Sequence, residues 1–215
     1  MAKMHFKYAS MNSGKSIDLI RTAYNYEENG YKVLIIKPSI DTKAEDNISC
    51  RIGLKRKVDL LLLQDDSVIE NLSDKLDNVK CIFIDEAQFL TSSQVDEFWI
   101  VSKVMDIPVI CYGLRTNFKA ESFDGSRRLL EVADVLEGLT TLCKCGKIAR
   151  YSGRKRNGIF EEDGEEVVID GADNIEYVPL CGDCYLKKVK KINFNKIKKD
   201  LTNNENRNWY WWYHY

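Results

Sequence analysis

The segment that most constrains this chain is a phosphate-loop pattern, ASMNSGKS, close to the amino end. It follows an apolar, strand-like run and opens a helix-like one, which is where a phosphate-binding loop belongs. Backbone N–H groups of such a loop bind anionic oxygens, and the start of the next helix adds partial positive charge. Lys15 would neutralise the β- and γ-phosphates, and the Ser16 hydroxyl would hold Mg²⁺. The predicted nucleotide-binding residues are Ala9, Ser10, Met11, Asn12, Ser13, Gly14, Lys15 and Ser16.

Apolar runs alternate with helix-like segments through the first 142 residues. Gly30 is placed to end the first helix, Gly113 to close the last strand, and Thr91 to Gln94 to form a capping box. This alternation predicts an α/β fold with a mostly parallel sheet, whose ligands bind beyond the carboxyl ends of the strands. Strands are predicted at 4–8, 31–37, 58–63, 79–84 and 108–112, and helices at 16–29, 68–76 and 95–105.

The charge balance narrows the classes of function. The 32 basic and 33 acidic residues nearly cancel, which argues against a globally basic nucleic-acid binder. No long uncharged apolar run and no signal-peptide pattern stand out, so we expect a cytoplasmic protein without membrane association. In that compartment seven cysteines are more typical of free thiols and metal ligands than of disulfides.

Two adjacent carboxylates, Asp85 and Glu86, follow the apolar run at 79–84. In a phosphate-loop fold, the carboxyl end of such a strand faces the nucleotide. Asp85 would orient Mg²⁺, and Glu86 is the candidate general base. Phosphoryl transfer needs mainly positioning, charge neutralisation and removal of one proton from the acceptor, which a carboxylate at this place could perform.

Four of the seven cysteines form two close pairs, Cys143 with Cys145 and Cys181 with Cys184. Four thiolates match the tetrahedral coordination of Zn²⁺. The segment between the pairs is polar, so we expect it to lack a hydrophobic core of its own and to depend on the metal. The chain then divides into a nucleotide-binding domain at 1–142, a zinc-held unit at 143–190, and a basic, aromatic tail at 191–215 for which disorder is one expectation.

Several of these features occur in one characteristic order. They are the loop Ser10 to Ser16, the segment Asp85 to Phe89, the stretch Gly113 to Phe118 and the two cysteine pairs. Through them the chain resembles the type II thymidine kinases, the zinc-containing cytosolic class, and its bacterial members in particular. The resemblance implies a RecA-like phosphate-loop domain with a zinc-held lasso domain. It also implies transfer of the γ-phosphate of ATP, with Mg²⁺, to the 5′-hydroxyl of thymidine, giving dTMP for nucleotide salvage and DNA synthesis.

The resemblance also assigns roles to residues. It identifies Glu86 with the general base of the family, and it places Asp41 in a loop near the phosphates. The acidic segment it brings to ATP comprises Asp85, Glu86, Ala87 and Gln88. The residues it matches to the thymidine pocket and its lasso are Met11, Leu114, Phe118, Phe123, Val168, Ile169, Asp170, Gly171, Ala172 and Tyr177. Family members are usually homotetramers inhibited by thymidine triphosphate (dTTP), so we expect both properties. Because one methyl group gives only about 1–3 kcal/mol of discrimination, we also expect deoxyuridine to be accepted.

Two other functions fit part of the pattern. A phosphate-loop ATPase would use the same loop and carboxylates to activate water, although a translocating ATPase would normally need a further domain or a nucleic-acid surface. A zinc-binding nucleic-acid module would use the lysines of 187–199 and the aromatic end of the chain. We favour a solvated tail over that module, because the positive charge is local and the chain as a whole is neutral.

Overall fold

A six-stranded sheet forms the centre of the larger part of the computed structural model, which describes residues 1–39, 46–50, 52–168 and 174–202. Its strands run in the spatial order β5-β2-β6-β7-β1-β8, and every neighbouring pair is parallel. These strands are β1 (Met4–Ala9), β2 (Lys32–Pro38), β5 (Leu60–Leu62), β6 (Val79–Ile84), β7 (Val109–Leu114) and β8 (Val135–Gly138). The predicted α/β fold with a mostly parallel sheet is confirmed.

Helices cover both faces of this sheet. They are α1 (Lys15–Glu28), α2 (Val68–Leu72), α3 (Ser92–Val104) and α4 (Asp124–Val132), with a single 3₁₀ turn at Ala87–Phe89. Strand β6 shows why its sequence is continuously apolar. Ile82 and Ile84 pack into the core under α3 and α4, whereas Cys81 and Phe83 pack into the core under α1.

The structure corrects three local predictions. Gly113 lies inside β7, paired with Tyr8, and does not close the strand. Helix α2 ends at Leu72 instead of residue 76, because the next backbone N–H groups, those of Ser73 and Lys75, bond back only three residues. A short hairpin was not predicted, since its strands β3 (Asn47–Ser49) and β4 (Lys55–Lys57) are brief and polar.

The remaining described chain forms a smaller unit of antiparallel strands. Val178, Leu180, Tyr185 and Val189 pack there with Ala149 and two cysteines in a core of its own, which corrects the expectation that the unit lacks one. Its elements are β9 (Thr141–Leu142), β10 (Ile148–Ala149), β11 (Tyr151–Arg156), β12 (Ile159–Phe160), β13 (Ile175–Leu180) and helix α5 (Gly182–Lys188). Helix α6 (Phe194–Thr202) lies within the segment predicted as a tail, so that part of the tail is ordered.

The longest helix among the described residues is α1, with 14 residues. None of the described helices combines the length and the apolar character that crossing a bilayer requires.

Candidate active site

The predicted phosphate loop connects the carboxyl end of β1 to the start of α1. Strand β1 lies between β7 and β8 in the sheet. Gly14 precedes the helix with a φ of 81°, in the left-handed region that glycine adopts without strain. Its carbonyl accepts the first helical hydrogen bond, from Asp18 N at 3.0 Å. The loop therefore leads into the start of α1, where N–H groups without helical partners are available to an anion.

A cleft of about 700 Å³ opens over this loop. Its volume falls within the usual range for small-ligand sites. The lining residues are Met11, Asn12, Ser13, Gly14, Lys15, Ser16, Ile17, Ser49, Cys50, Glu86 and Leu114. The cleft thus brings together the phosphate loop, the candidate base and two predicted pocket residues, Met11 and Leu114, with Ser49 of β3 also in its lining.

Lys15 and the loop serines present polar atoms without strong protein partners. Lys15 is largely buried, and its Nζ donates only a long bond of 3.4 Å to the Ser10 carbonyl. The Ser10 and Ser13 hydroxyl oxygens are buried and have no partner among the described residues. Buried polar groups are nearly always paired, so this arrangement indicates a ligand that supplies the missing partners.

Asp85 follows β6 directly, next to the cleft residue Glu86, and is 3% exposed. Burial, together with the adjacent charge of Glu86, raises the pKa of its carboxyl to about 7, against the opposing attraction of Lys15. Its Oδ2 accepts a hydrogen bond of 3.4 Å from the Ser16 hydroxyl, and its Oδ1 has no partner in the described chain. A hydroxyl and an orphaned carboxylate oxygen form a donor set that fits Mg²⁺.

Glu86 lies two residues after the end of β6, and the backbone of Glu86 is strained. Its φ is 52° and its ψ 37°, a left-handed geometry that costs a non-glycine residue on the order of 1–3 kcal/mol. Its Oε2 accepts a hydrogen bond of 2.5 Å from the Gln88 side chain, whose Oε1 accepts one from Leu114 N at 3.0 Å. The Leu114 carbonyl in turn accepts a bond of 2.5 Å from Ser126 Oγ. This chain of bonds orients Glu86 relative to the end of β7.

The other two residues of the acidic segment lie in the interior. Ala87 packs in the core under α3 and α4, and the Gln88 side chain is 2% exposed between Glu86 and Leu114. Neither residue lines the cleft. The family resemblance grouped them with ATP, whereas the structure gives the Gln88 side chain a positioning contact to Glu86.

Four of the predicted pocket residues meet in one group, which we call the aromatic cluster. It comprises Met11, Phe118, Val168 and Tyr177, with Ile175, which the sequence reading did not identify. The Tyr177 hydroxyl donates a 3.0 Å hydrogen bond to the Val168 carbonyl, which fixes the approach of Val168 to β13. Phe123 lies instead against Phe89, edge to face, with the ring centres 5.7 Å apart.

The smaller unit touches the phosphate loop directly. Ser152 Oγ accepts a hydrogen bond from Met11 N at 3.0 Å, and Asn12 Nδ2 donates one of 3.1 Å to the Tyr177 carbonyl. Thr141 adds a longer bond of 3.4 Å to the Asn12 carbonyl. Strands β11 and β13 therefore form one wall beside the loop, and no local motif around Ser152 signals this from sequence.

Sequence reasoning also missed Arg154, a fully buried cation next to the aromatic cluster. The only signal available was an arginine within a short strand that carries no alternating pattern. Asp41 and the four lasso residues Ile169, Asp170, Gly171 and Ala172 lie outside the described residues.

The four paired cysteines converge in the smaller unit. All four sulfur atoms of Cys143, Cys145, Cys181 and Cys184 lie within 4.8 Å of one another. Tetrahedral zinc–thiolate bonds of about 2.3 Å would place sulfur atoms about 3.8 Å apart. Burial opposes ionisation of Cys143, but hydrogen bonds from neighbouring backbone and thiol groups outweigh it and lower its pKa to about 6. The donor set and spacing fit a metal site of the Cys₄ type.

Comparison with known proteins agrees with this geometry. The sequence model of a family described as thymidine kinase matches residues 2–185. A thymidine kinase of Coxiella burnetii (strain RSA 493 / Nine Mile phase I) is 40% identical over 186 residues, covering 84% of this chain and 93% of that protein. One from Photorhabdus laumondii subsp. laumondii is 40% identical over 200 residues (91% and 98%), and one from Legionella pneumophila subsp. pneumophila is 40% identical over 209 residues (94% and 99%).

Proposed function

This chain belongs to the thymidine kinase family, and from that membership and the site geometry we propose that it transfers the γ-phosphate of ATP to the 5′-hydroxyl of thymidine, giving dTMP. The observation that carries the proposal is that Lys15, Ser16, Glu86 and Leu114 line one cleft. Such a cleft can hold a triphosphate and an alcohol together, which is what this transfer requires.

Each residue of the cleft has a distinct part in the transfer. The loop N–H groups and Lys15 bind the phosphates and neutralise the charge that spreads over them. Glu86 removes the proton from the 5′-hydroxyl as its oxygen attacks the γ-phosphorus, while ADP leaves. Ser16 and Asp85 would hold the Mg²⁺ that accompanies ATP, and this ion would supply further charge neutralisation. Gln88 keeps the Glu86 carboxylate oriented.

The nucleoside would bind beside Met11 and Leu114, against the aromatic cluster, with Phe123 behind it. Flat apolar side chains suit a thymine ring, and the lasso at 168–172 with Tyr177 would close over it. Because the methyl group contributes only about 1–3 kcal/mol of discrimination, deoxyuridine belongs to the proposed substrate range. Asp41 is proposed to approach the phosphates.

A labelled phosphate-transfer assay over a panel of nucleosides tests this function. With γ-labelled ATP, we expect label in dTMP and, more slowly, in dUMP, with ATP consumption that depends on added nucleoside. The rival reading, a phosphate-loop ATPase, predicts release of inorganic phosphate at the same rate without any nucleoside. That result would contradict the proposal.

We also propose that the cysteine site binds Zn²⁺ and that the chain is organised as a kinase domain at 1–142, a zinc-held lasso domain at 143–190 and a tail from 191. The convergent sulfur atoms and the separate core of the smaller unit support this division. A nucleic-acid module built on the lysines of the tail would instead retain single-stranded DNA in a salt-sensitive way. Loss of that retention on cutting after Cys184 would favour the module.

The family resemblance supports three further proposals about the intact protein: a homotetramer, feedback inhibition by dTTP, and a cytoplasmic location. Light scattering behind size exclusion would measure the first, and a monomer would contradict it. Inhibition that is competitive with ATP or thymidine would be expected for the second. Cell fractionation tests the third.

A further inference from the structure

Arg154 is a buried cation that the proposed chemistry does not use. It lies on β11 and is 1% exposed. Its guanidinium carbon is 3.6 Å from the centre of the Phe118 ring, so the cation faces the ring at close contact. A charge removed from water in this way is costly unless it is paired and hydrogen-bonded. Its partners therefore indicate what the residue is for.

Among the described residues, the side-chain hydrogen-bond partners of Arg154 come from the segment 161–166, which follows β12. Nε donates to Glu161 Oε2 at 2.5 Å, and Nη1 donates to the Glu165 carbonyl at 2.5 Å. Gly164 has a φ of 134°, and a Cβ there would lie 2.6 Å from Nη2. The planar guanidinium thus stacks on Phe118 with its face and bonds the segment with its edge, which an ammonium group cannot do.

Residues on each side of Phe118 contact the same segment. The largely buried Asn117 donates from Nδ2 to Glu166 Oε1 at 3.0 Å, and Lys119 Nζ lies 2.9 Å from Asp163 Oδ1. The ion pair between Lys119 and Asp163 contributes little stability, because the Asp163 side chain is exposed. Arg154 occupies the middle of this junction. It is fully buried and lies 3.6 Å from the centre of the Phe118 ring, whereas Lys119 Nζ lies 5.9 Å from that centre.

We propose that Arg154 is a positioning residue for nucleoside recognition, which fastens the segment 161–166 across Phe118 and fixes the orientation of that ring. The inference rests on the proposed function, because Phe118 is a pocket wall only if the nucleoside binds at the aromatic cluster. A ring and segment ordered before binding lower the entropic cost of binding the nucleoside. The proposed ATP site over the phosphate loop includes neither Phe118 nor the segment 161–166, so we expect the affinity for ATP to be independent of Arg154.

Arg154→Met tests the inference, because methionine keeps much of the apolar volume and removes the charge. Glu161 remains paired in this variant, since Arg156 Nε donates to its other oxygen at 2.7 Å. We expect the KM for thymidine to rise about tenfold or more, with the KM for ATP within about twofold of the parent. Amide exchange in 161–166 should accelerate. Arg156→Met is the matched control: it removes the other arginine that pairs with Glu161, and the Arg156 side chain is 39% exposed. The thymidine KM of this variant should stay within about twofold of the parent.

Arg154→Lys keeps the charge and separates positioning from folding. It should restore stability, but not the thymidine KM or the slow exchange of 161–166, and it carries the comparison if the methionine variant does not fold. An unchanged thymidine KM in either Arg154 variant, full recovery by lysine, or a parallel loss of ATP and thymidine binding would overturn the inference. A parent protein that phosphorylates no nucleoside would contradict the proposed function instead. Amide exchange in 161–166 would then still test whether Arg154 fastens this segment across Phe118.

Discussion

At the scale of single residues, the most unusual group is the carboxyl of Asp85. It is buried, adjacent to Glu86 and within reach of Ser16, and its pKa is raised to about 7. Burial and the charge of Glu86 thus outweigh the attraction of Lys15, so the fold disfavours ionisation of this carboxyl. This cost is expected at a metal site, where the bound cation later stabilises the charge.

Asp85→Asn should stabilise the metal-free, nucleotide-free protein in a pH-dependent way. The folded-state pKa lies above the unfolded value of about 4, so ionisation favours unfolding. The stabilisation should be small near pH 4, grow as the pH rises, and level off above about pH 7 at about 2–4 kcal/mol. Denaturant unfolding in a chelator at several pH values measures it. Asp65→Asn, at an exposed position, is the control. A loss of stability for Asp85→Asn at pH 8 would contradict the raised pKa of the Asp85 carboxyl.

Six of the eight residues predicted for the phosphate loop, Met11 to Ser16, line the cleft. They could be found from sequence because the loop is built from consecutive positions. The sequence could not predict the contact of Arg154 with Phe118. The two residues are far apart in the chain, and the contact is a buried guanidinium stacked on a ring. Nor could the sequence predict that Gln88 faces Glu86 rather than the cleft, since this depends on how tightly β7 passes the 3₁₀ turn.

At the scale of elements, close backbone packing holds the 3₁₀ turn that follows Glu86. Gly113 in β7 lets Gln88 approach, because a Cβ there would lie 2.9 Å from its Oε1. Gly125 in α4 does the same from the other side, where a Cβ would lie 2.5 Å from the Leu90 carbonyl oxygen. Glycine is therefore required at 113 and 125 because a side chain would not fit there, although neither residue has a positive φ.

Gly125→Ala should destabilise the protein by about 1–3 kcal/mol, because the added methyl group meets backbone oxygens that cannot rotate away. The displaced turn carries the bond between Gln88 and Glu86, so kcat should fall as well. Thermal unfolding and steady-state kinetics would measure both effects. Gly182→Ala is a suitable control, since its Cβ would make an ordinary contact of 3.8 Å with Tyr151. Equal stability of the two variants would contradict this packing argument.

The elements themselves were predictable where the sequence carries a strong local signal. Thr91 and Gln94 form the reciprocal capping box expected for α3, with both bonds at 3.2 Å. Gly113 was read as a stop because glycine is common in turns, whereas its role depends on the distant Gln88. The β3–β4 hairpin escaped prediction, since three-residue polar strands have no periodicity to detect.

At the scale of the whole molecule, the smaller unit completes the site that the sheet begins. Ser152 and Tyr177 hold the phosphate loop from one side, and the buried Tyr185 hydroxyl donates to the Phe118 carbonyl at 2.8 Å. Tyr185 follows Cys184 directly in α5. The metal site and the aromatic cluster are therefore linked through one helix.

Cys145→Ser should lower the zinc content from about one ion per chain to far below one, and should raise the thymidine KM more than the ATP KM. Cys145 is exposed, so its substitution disturbs little packing. Elemental analysis and kinetics check the two expectations. Cys50→Ser is the control for metal content only, because Cys50 is not part of the cysteine cluster. A folded parent protein without zinc would refute the metal assignment.

A domain order could be proposed because the motifs occur in sequence order. The two cysteine pairs predicted a shared metal, and their sulfur atoms do lie close together. The small core around Tyr185 and Val189 could not be predicted, because its members are scattered among charged residues. They become neighbours only when β11 pairs with β13. The same pairing creates the wall beside the phosphate loop, which no single segment of sequence contains.

The most direct test of the central claim is single-turnover formation of dTMP by the parent protein and by Glu86→Gln, which preserves side-chain volume and removes the base. We predict a rate about 10²–10⁴-fold lower for the variant, with ATP affinity essentially retained, because Glu86 takes the proton and the loop holds the nucleotide. The exposed Glu131→Gln should match the parent. A Glu86→Gln rate within about threefold of the parent rate would contradict the account.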